Sequence, residues 1–240
     1  MSTQFKNHPV AACFASLMIG LLILPGCTST KMIIPHNDPN SVDYQVNGLQ
    51  GLRYSQDVEF GPYVANNIFW WWTGEIRNGN SELTMNTYAR IFEFTLEQSK
   101  DVIWDVRCQL ESNRKDFEEI LVGVKSGNRS YLKCDMKAAD GSGRVASMHL
   151  IKSNNRQMAG RIGFGSDMME VKGSSTGSFL GGKTRTSGYH IRLNQELVSA
   201  VDVLKNGAVW FDASISNDHK DLLSASAMAL LLHNEIIAMK

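Results

Sequence analysis

Asn217 to Lys240, NDHKDLLSASAMALLLHNEIIAMK, is the stretch whose reading decides the fold. It contains no glycine or proline and is rich in helix formers, so it predicts a helix over 217–238. Asn217 or Asp218 can cap it, and acidic residues sit early, where the helix dipole favours them. Leu222 to Leu232 is apolar or small on every side. A helix apolar all round is a buried helix. Eleven residues are too few to cross a bilayer, which needs about 20. The expectation is therefore a protein domain that encloses this helix.

The preceding chain supplies the enclosure. From about residue 42 to 215 the hydropathy repeats every second residue. In VIWDVRCQLE, Val102, Trp104, Val106, Cys108 and Leu110 alternate with Ile103, Asp105, Arg107, Gln109 and Glu111. In SYLKCDMK, Leu132, Cys134 and Met136 alternate with Tyr131, Lys133, Asp135 and Lys137. Further strands are expected at 91–97, 145–151, 159–164, 188–193 and 208–212, with one at EEILVGV, 118–124. Turn signals separate them, among them Asp140-Gly141-Ser142-Gly143 and Asn206-Gly207. QELVSAVDVLK also fits a helical face, but Asn206-Gly207 makes it the first strand of a tight hairpin. No internal repeat interrupts the pattern, and residues 42–240 read as a single domain.

Cys108 and Cys134 point to the apolar faces of their strands, which suits a buried disulfide; two buried thiols are the alternative. A strand at 118–124 would set them about 10 Å apart in a flat meander, whereas bonded Cα atoms lie within about 7 Å. The bond then requires a different strand order, a bend or a strand end.

At the other terminus, Lys6 precedes an apolar run from Val10 to Leu24, too short to span a bilayer. A charged start, a short apolar core and small residues at its end form a secretory signal. Leu24-Pro25-Gly26-Cys27 resembles the lipobox of bacterial lipoproteins, in which an aliphatic and two small residues precede a cysteine. Leu24, Gly26 and Cys27 match; Pro25 departs from the usual residue. The resemblance implies that residues 1–26 are removed, that Cys27 is acylated with diacylglycerol and palmitate-type chains, and that the protein is anchored in a bacterial envelope. Two or more chains on one residue make a stable anchor. Thr28, in place of Asp, implies the outer membrane, facing the periplasm. Lys6 is the only charge among residues 1–26, so the 24 basic residues become 23 against 24 acidic. Nothing in that balance points to nucleic acid. Residues 28–41, TSTKMIIPHNDPNS, read as a tether that holds the domain off the membrane.

About a dozen antiparallel strands followed by one buried helix resembles the tubby-like barrel, which includes the LURP-one-related proteins. The closest passage is residues 188–236: strand, strand, Asn-Gly turn, strand, polar link, helix. The resemblance implies a closed antiparallel barrel of twelve strands wrapped around a central hydrophobic helix. A lipocalin-like barrel and a β-sandwich are the alternatives. Fold analogy carries no function with it.

Several motifs invite chemistry. Gly177 to Thr184 matches the P-loop spelling, with Gly182, Lys183 and Thr184 in place, but a P-loop must open a helix and RTSGYHIRL reads as a strand. No nucleotide is expected. Gly173 to Gly177 matches G-x-S-x-G around Ser175, a nucleophile elbow only if it joins a strand to a helix. Its partners would come from Asp202, Asp212, His219 or His233. His36, His149, His190, His219 and His233 are scattered without metal-ligand spacing, so no metal or cofactor is expected. In Phe69-Trp70-Trp71-Trp72 one alternate pair fills the core and the other faces outward, toward lipid headgroups or a partner. Lys172, Lys183, Arg185 and Arg192 form either a local basic patch for anionic lipid or, as most such sets do, a solvated face.

The expectation is a lipid-anchored envelope protein with a non-catalytic binding or structural role. A toxin-neutralising inhibitory lipoprotein and a serine hydrolase using Ser175 are the alternatives.

Overall fold

The computed structural model describes residues 32, 41–53, 56–78, 85–115, 129–153, 157–176 and 185–238. The two-residue periodicity becomes twelve antiparallel strands. In the first half these are β1 (Val42–Asn47), β2 (Val58–Phe60), β3 (Tyr63–Asn78), β4 (Met85–Gln98), β5 (Asp101–Lys115) and β6 (Arg129–Ala138). The second half holds β7 (Val145–Ser153), β8 (Ala159–Phe164), β9 (Asp167–Thr176), β10 (Arg185–Leu193), β11 (Glu196–Asp202) and β12 (Ala208–Phe211). Each strand pairs with the next in sequence and β12 pairs with β1, so the sheet closes into a barrel. Closure removes the edge strands that would otherwise template aggregation. A single closed sheet excludes a two-sheet sandwich, and twelve strands exceed the eight of a lipocalin.

The helix α1 (Asn217–Ala238) is the barrel's core. Every residue from Leu222 to Leu232 is 0 % exposed, which requires walls on all sides. Small residues on α1, Ala225, Ala227 and Ala229, let those walls come close. The serines among them return their hydroxyls to the preceding turn: Ser224 Oγ donates to Lys220 O at 2.8 Å and Ser226 Oγ to Leu222 O at 3.0 Å. Neither serine then leaves an orphan hydroxyl donor in the apolar interior.

Both ends of α1 are fastened. At the upper rim, where it begins, Ser216 rather than Asn217 or Asp218 is the cap: Ser216 Oγ accepts the His219 N–H at 3.3 Å. One turn on, the Tyr63 hydroxyl donates to Asp221 Oδ1 at 3.0 Å and accepts from Gln98 Nε2 at 3.3 Å. At the lower rim Arg90, on β4, donates through Nη1 to the Ile236 carbonyl and stacks over Trp72 with its guanidinium carbon 3.6 Å from the ring centroid. Asn234 Nδ2 donates to Val203 O at 3.2 Å. These side chains take up carbonyls and hydroxyls that a buried helix cannot offer to water.

His233 stands apart on this helix. It is buried, and neither ring nitrogen has a hydrogen-bond partner among the described residues. Burial, with the Lys152 charge adding to it, pushes its pKa down to about 4. The folded state thus favours neutral imidazole, and His233 withholds no stability above the unfolded value near 6.5. Between that value and about 4 the unfolded chain binds the extra proton, so stability falls as pH falls. Asp221, whose carboxyl burial raises, works in the opposite direction. The contrast with a His233→Leu variant isolates the histidine. Urea melts between pH 7 and 4 are expected to show the wild type losing about 3 kcal/mol relative to the variant.

The register differs from expectation at four places. A bulge between Leu96 and Glu97 of β4 leaves Ile103 unpaired on β5, so Val102 faces solvent instead of the core. The β11–β12 connection is five residues, 203–207, not a two-residue turn: Asp202 Oδ1 accepts the Leu204 N–H at 2.8 Å, and Gly207 takes φ +83°. Residues 167–176, which carry the G-x-S-x-G spelling up to Thr176, are strand β9. Finally, β5 pairs β6 directly with Cys108 opposite Cys134, so no strand separates the cysteines. They form a disulfide with Cα atoms 4.0 Å apart, the close spacing of a directly opposed antiparallel pair. The strand expected at 118–124 lies outside the described residues.

Candidate functional site

A groove of about 1150 Å³ crosses the outer wall of the barrel from β3 to β8, near the upper rim. Alternation puts its residues there: they are the outward neighbours of core positions such as Phe94, Val106 and Met136. Register then sets them side by side. One row runs Phe69, Glu93, Arg107, Asp135, Ser147, Gly163, each the direct cross-strand partner of the next. The row above it runs Thr95, Asp105, Lys137, Val145. Phe69, 48 % exposed, walls the β3 end of the first row, and Val145, 64 % exposed, closes the β7 end of the second. Gly163 contributes no side chain, which deepens the groove at β8.

Three cations, Arg107, Lys137 and Arg144, line the groove with three anions, Glu93, Asp105 and Asp135. Arg107 Nη1 holds Glu93 Oε1 at 2.8 Å, and the guanidinium carbon lies 5.8 Å from the Trp71 ring centroid. The Lys133 ammonium, beside the groove, sits 3.2 Å from Asp135 Oδ2. Exposed pairs such as these contribute little stability, about 0–1 kcal/mol each; their effect is to fix where charge sits. Asp105 and Lys137 face each other across β5 and β6, yet neither is in an ion pair among the described residues. Theirs are the groove's uncommitted charges among the described residues.

The rim above the groove is braced by Arg144. Its Nη2 meets Asp140 Oδ2 at 2.7 Å and its Nη1 meets Asp218 Oδ1 at 2.9 Å. The β6–β7 loop is thereby tied to the start of α1. Hydrogen bonds from the Ser142 side chain and backbone, with Arg144 beside them, hold the Asp140 carboxyl down at about 2. Below the groove the Cys108–Cys134 bond joins its two central strands, one residue from Arg107 and Asp135.

Apart from Phe69, which walls the groove, and the Cys108–Cys134 bond beneath it, the residues singled out in the sequence lie elsewhere. Cys27, His36, Gly177, Gly182, Lys183 and Thr184 fall outside the described residues, and β10 begins at Arg185, where a P-loop requires a helix. Ser175 sits in β9 opposite Thr186. The Gln157 amide matches its neighbours when its oxygen accepts from both Ser175 N–H, at 2.9 Å, and Ser175 O–H. No histidine bonds Ser175 among the described residues. Arg192 donates to Gln195 O at 2.9 Å and faces Glu170, while Lys172 faces His190, two residues before Arg192 on β10. Of the aromatic run, Trp70 packs on the core, while Phe69, Trp71 and Trp72 are exposed.

A serine, a histidine and an aspartate do meet, at the upper rim. His219 Nδ1 is 2.8 Å from Ser216 Oγ, and its Nε2 is 2.9 Å from Asp167 Oδ2. The residue types are those of a hydrolase triad, but Ser216 is held as the cap of the helix that carries His219. The group fastens the β8–β9 turn to α1 in the way Arg144 fastens the β6–β7 loop. Among the described residues no cluster of His, Cys, Asp or Glu is arranged to hold a metal ion, and no helix is long and apolar enough to cross a membrane.

Phe69 aside, the sequence did not single out the groove. Its signal is a run of outward charges, Glu93, Asp105, Arg107, Asp135 and Lys137, that only the register assembles. No protein-family model, curated protein or solved structure matches the chain.

Proposed function

We propose that the protein is a lipid-anchored envelope protein with a non-catalytic binding role, and that the outer groove is its binding surface. The observation that carries the reading is the groove itself, with Asp105 and Lys137 uncommitted at its centre and Phe69 as an apolar wall. Three charges of each sign favour a polar ligand of little net charge. The lipobox-like Leu24, Gly26 and Cys27 support the anchor. The outward ladder Lys133, His149, Arg161, Glu170 and Lys172 is exposed, which supports a wall that faces water; an outer-membrane barrel carries an apolar band there. Ser175, bound to Gln157 within an antiparallel strand, gives the hydrolase reading no support.

Gly163→Phe tests the groove. A Cβ at 163 would meet only Ser147 Oγ at 3.7 Å and Met168 Cε at 3.9 Å, which is ordinary contact. The strand therefore accepts a side chain, and the ring fills the groove. The expected result is an unchanged or slightly higher melting temperature together with loss of whatever copurifies with the wild-type protein from detergent-solubilised envelopes. A folded variant that keeps its full complement would refute the assignment.

A further inference from the structure

Met32 belongs to the stretch that reads as a free tether, yet it is docked on the barrel. Its side chain is 6 % exposed and packs with Ala200, Trp210 and Leu197 on the outer wall. Its N–H donates to Asp202 Oδ2 at 3.0 Å. Two features of the barrel are built around it. Asp202 is a buried carboxylate whose other oxygen already serves Leu204, so Met32 completes its hydrogen bonding. Gly188 leaves the space: a Cβ there would collide with Met32 Sδ and the Val201 carbonyl.

We infer that Met32 is a latch that turns the lower end of the β10–β12 wall toward the bilayer and leaves the groove facing away from it. The inference rests on the lipid-anchor reading of Cys27. Four residues, Thr28 to Lys31, separate Cys27 from Met32, so chain length keeps the acylated residue within about 18 Å of the latch. Were Val42 the first fixed residue, the reach would be about 50 Å, enough to present any face. Asp202 closes the lower end of β11, whereas Asp105, Asp135 and Val145 lie toward the upper ends of their strands. The latch on β11 and β12 is also half-way round the ring of strands from the groove's centre on β5 and β6. Anchor and groove are therefore separated both along the barrel and around it, and the occupant of the anchor side is the lipid surface.

The test uses the acylated full-length protein in vesicles of phosphatidylethanolamine and phosphatidylglycerol with a trace of rhodamine-headgroup lipid. A thiol fluorophore is placed by Lys205→Cys, on the lower β11–β12 link, or by Val102→Cys, on the upper end of β5; both positions are exposed. With Cys108 and Cys134 bonded and Cys27 acylated, the added thiol is the one that labels. Energy transfer to the rhodamine lipid is expected to be several-fold more efficient from position 205 than from 102. Met32→Asp, which sets a second carboxylate beside Asp202, is expected to bring the two sites to parity while the protein stays bound. Equal transfer in the bound wild type overturns the latch, as does asymmetry that survives Met32→Asp. Binding to vesicles that persists in Cys27→Ala overturns the lipid-anchor reading itself, and the latch falls with it.

Discussion

Met228→Lys is expected to abolish the cooperative fold. Met228 is 0 % exposed at the middle of α1. From there either end of the helix is about 16 Å away at 1.5 Å per residue, beyond the reach of a lysine stem. The ammonium would therefore be buried without a partner among Leu, Ala and Met side chains. That costs several kcal/mol, a large part of the roughly 5–15 kcal/mol that holds a domain together. Circular dichroism melts should show no cooperative transition, with the chain found mostly in the insoluble fraction. Met228→Leu conserves volume and should cost less than about 1.5 kcal/mol. A helix packed on the outside of the barrel would tolerate both.

The second large effect concerns the staple beneath the groove. Replacing both Cys108 and Cys134 with alanine opens a loop of 25 intervening residues. Loop-closure entropy puts the loss at about 3.5 kcal/mol. For a domain of this length that is a fall in melting temperature of about 7–14 °C. The same loss should follow reduction of the wild type, and calorimetry with and without a reductant measures it. Amide exchange should also quicken at Arg107 and Asp135, the groove residues adjoining the bond. A melting temperature that reduction leaves unchanged would remove the staple from the account.

The architecture was legible where one physical signal acted alone. Alternation along β5 and β6 placed Trp104, Val106, Cys108, Leu132, Cys134 and Met136 inside, and they are buried. The all-round apolar run of α1 implied enclosure, and α1 is enclosed. Misreadings arose where a local feature broke the period. The bulge at Ile103 turned Val102 outward, and the Asp202 side chain took a backbone donor that lengthened the Asn206-Gly207 turn. β9 escaped notice because its lower half, Gly173 to Thr176, has the composition of a loop; its pairing with β10 makes it a strand. The disulfide's obstacle disappeared with strand order, which periodicity does not encode.

The groove was hidden for a different reason. Its residues are separated by up to about a hundred positions in sequence, and each alone is an ordinary solvent-facing residue of a half-buried strand. Ion pairing among Glu93, Arg107, Lys133 and Asp135, and the missing side chain at Gly163, become features only once six strands stand in register. Met32 was hidden likewise: its partner Asp202 is 170 residues away.

The central claim, that this outer groove is where the protein meets its ligand, is tested most directly by a photo-crosslinking residue at Ser147 in intact cells, with Lys172, outside the groove, as the control position. The account predicts a discrete adduct from position 147, none from 172, and loss of the adduct when Gly163→Phe is added. Adducts of equal yield at both positions, or one at 147 that survives Gly163→Phe, would contradict it.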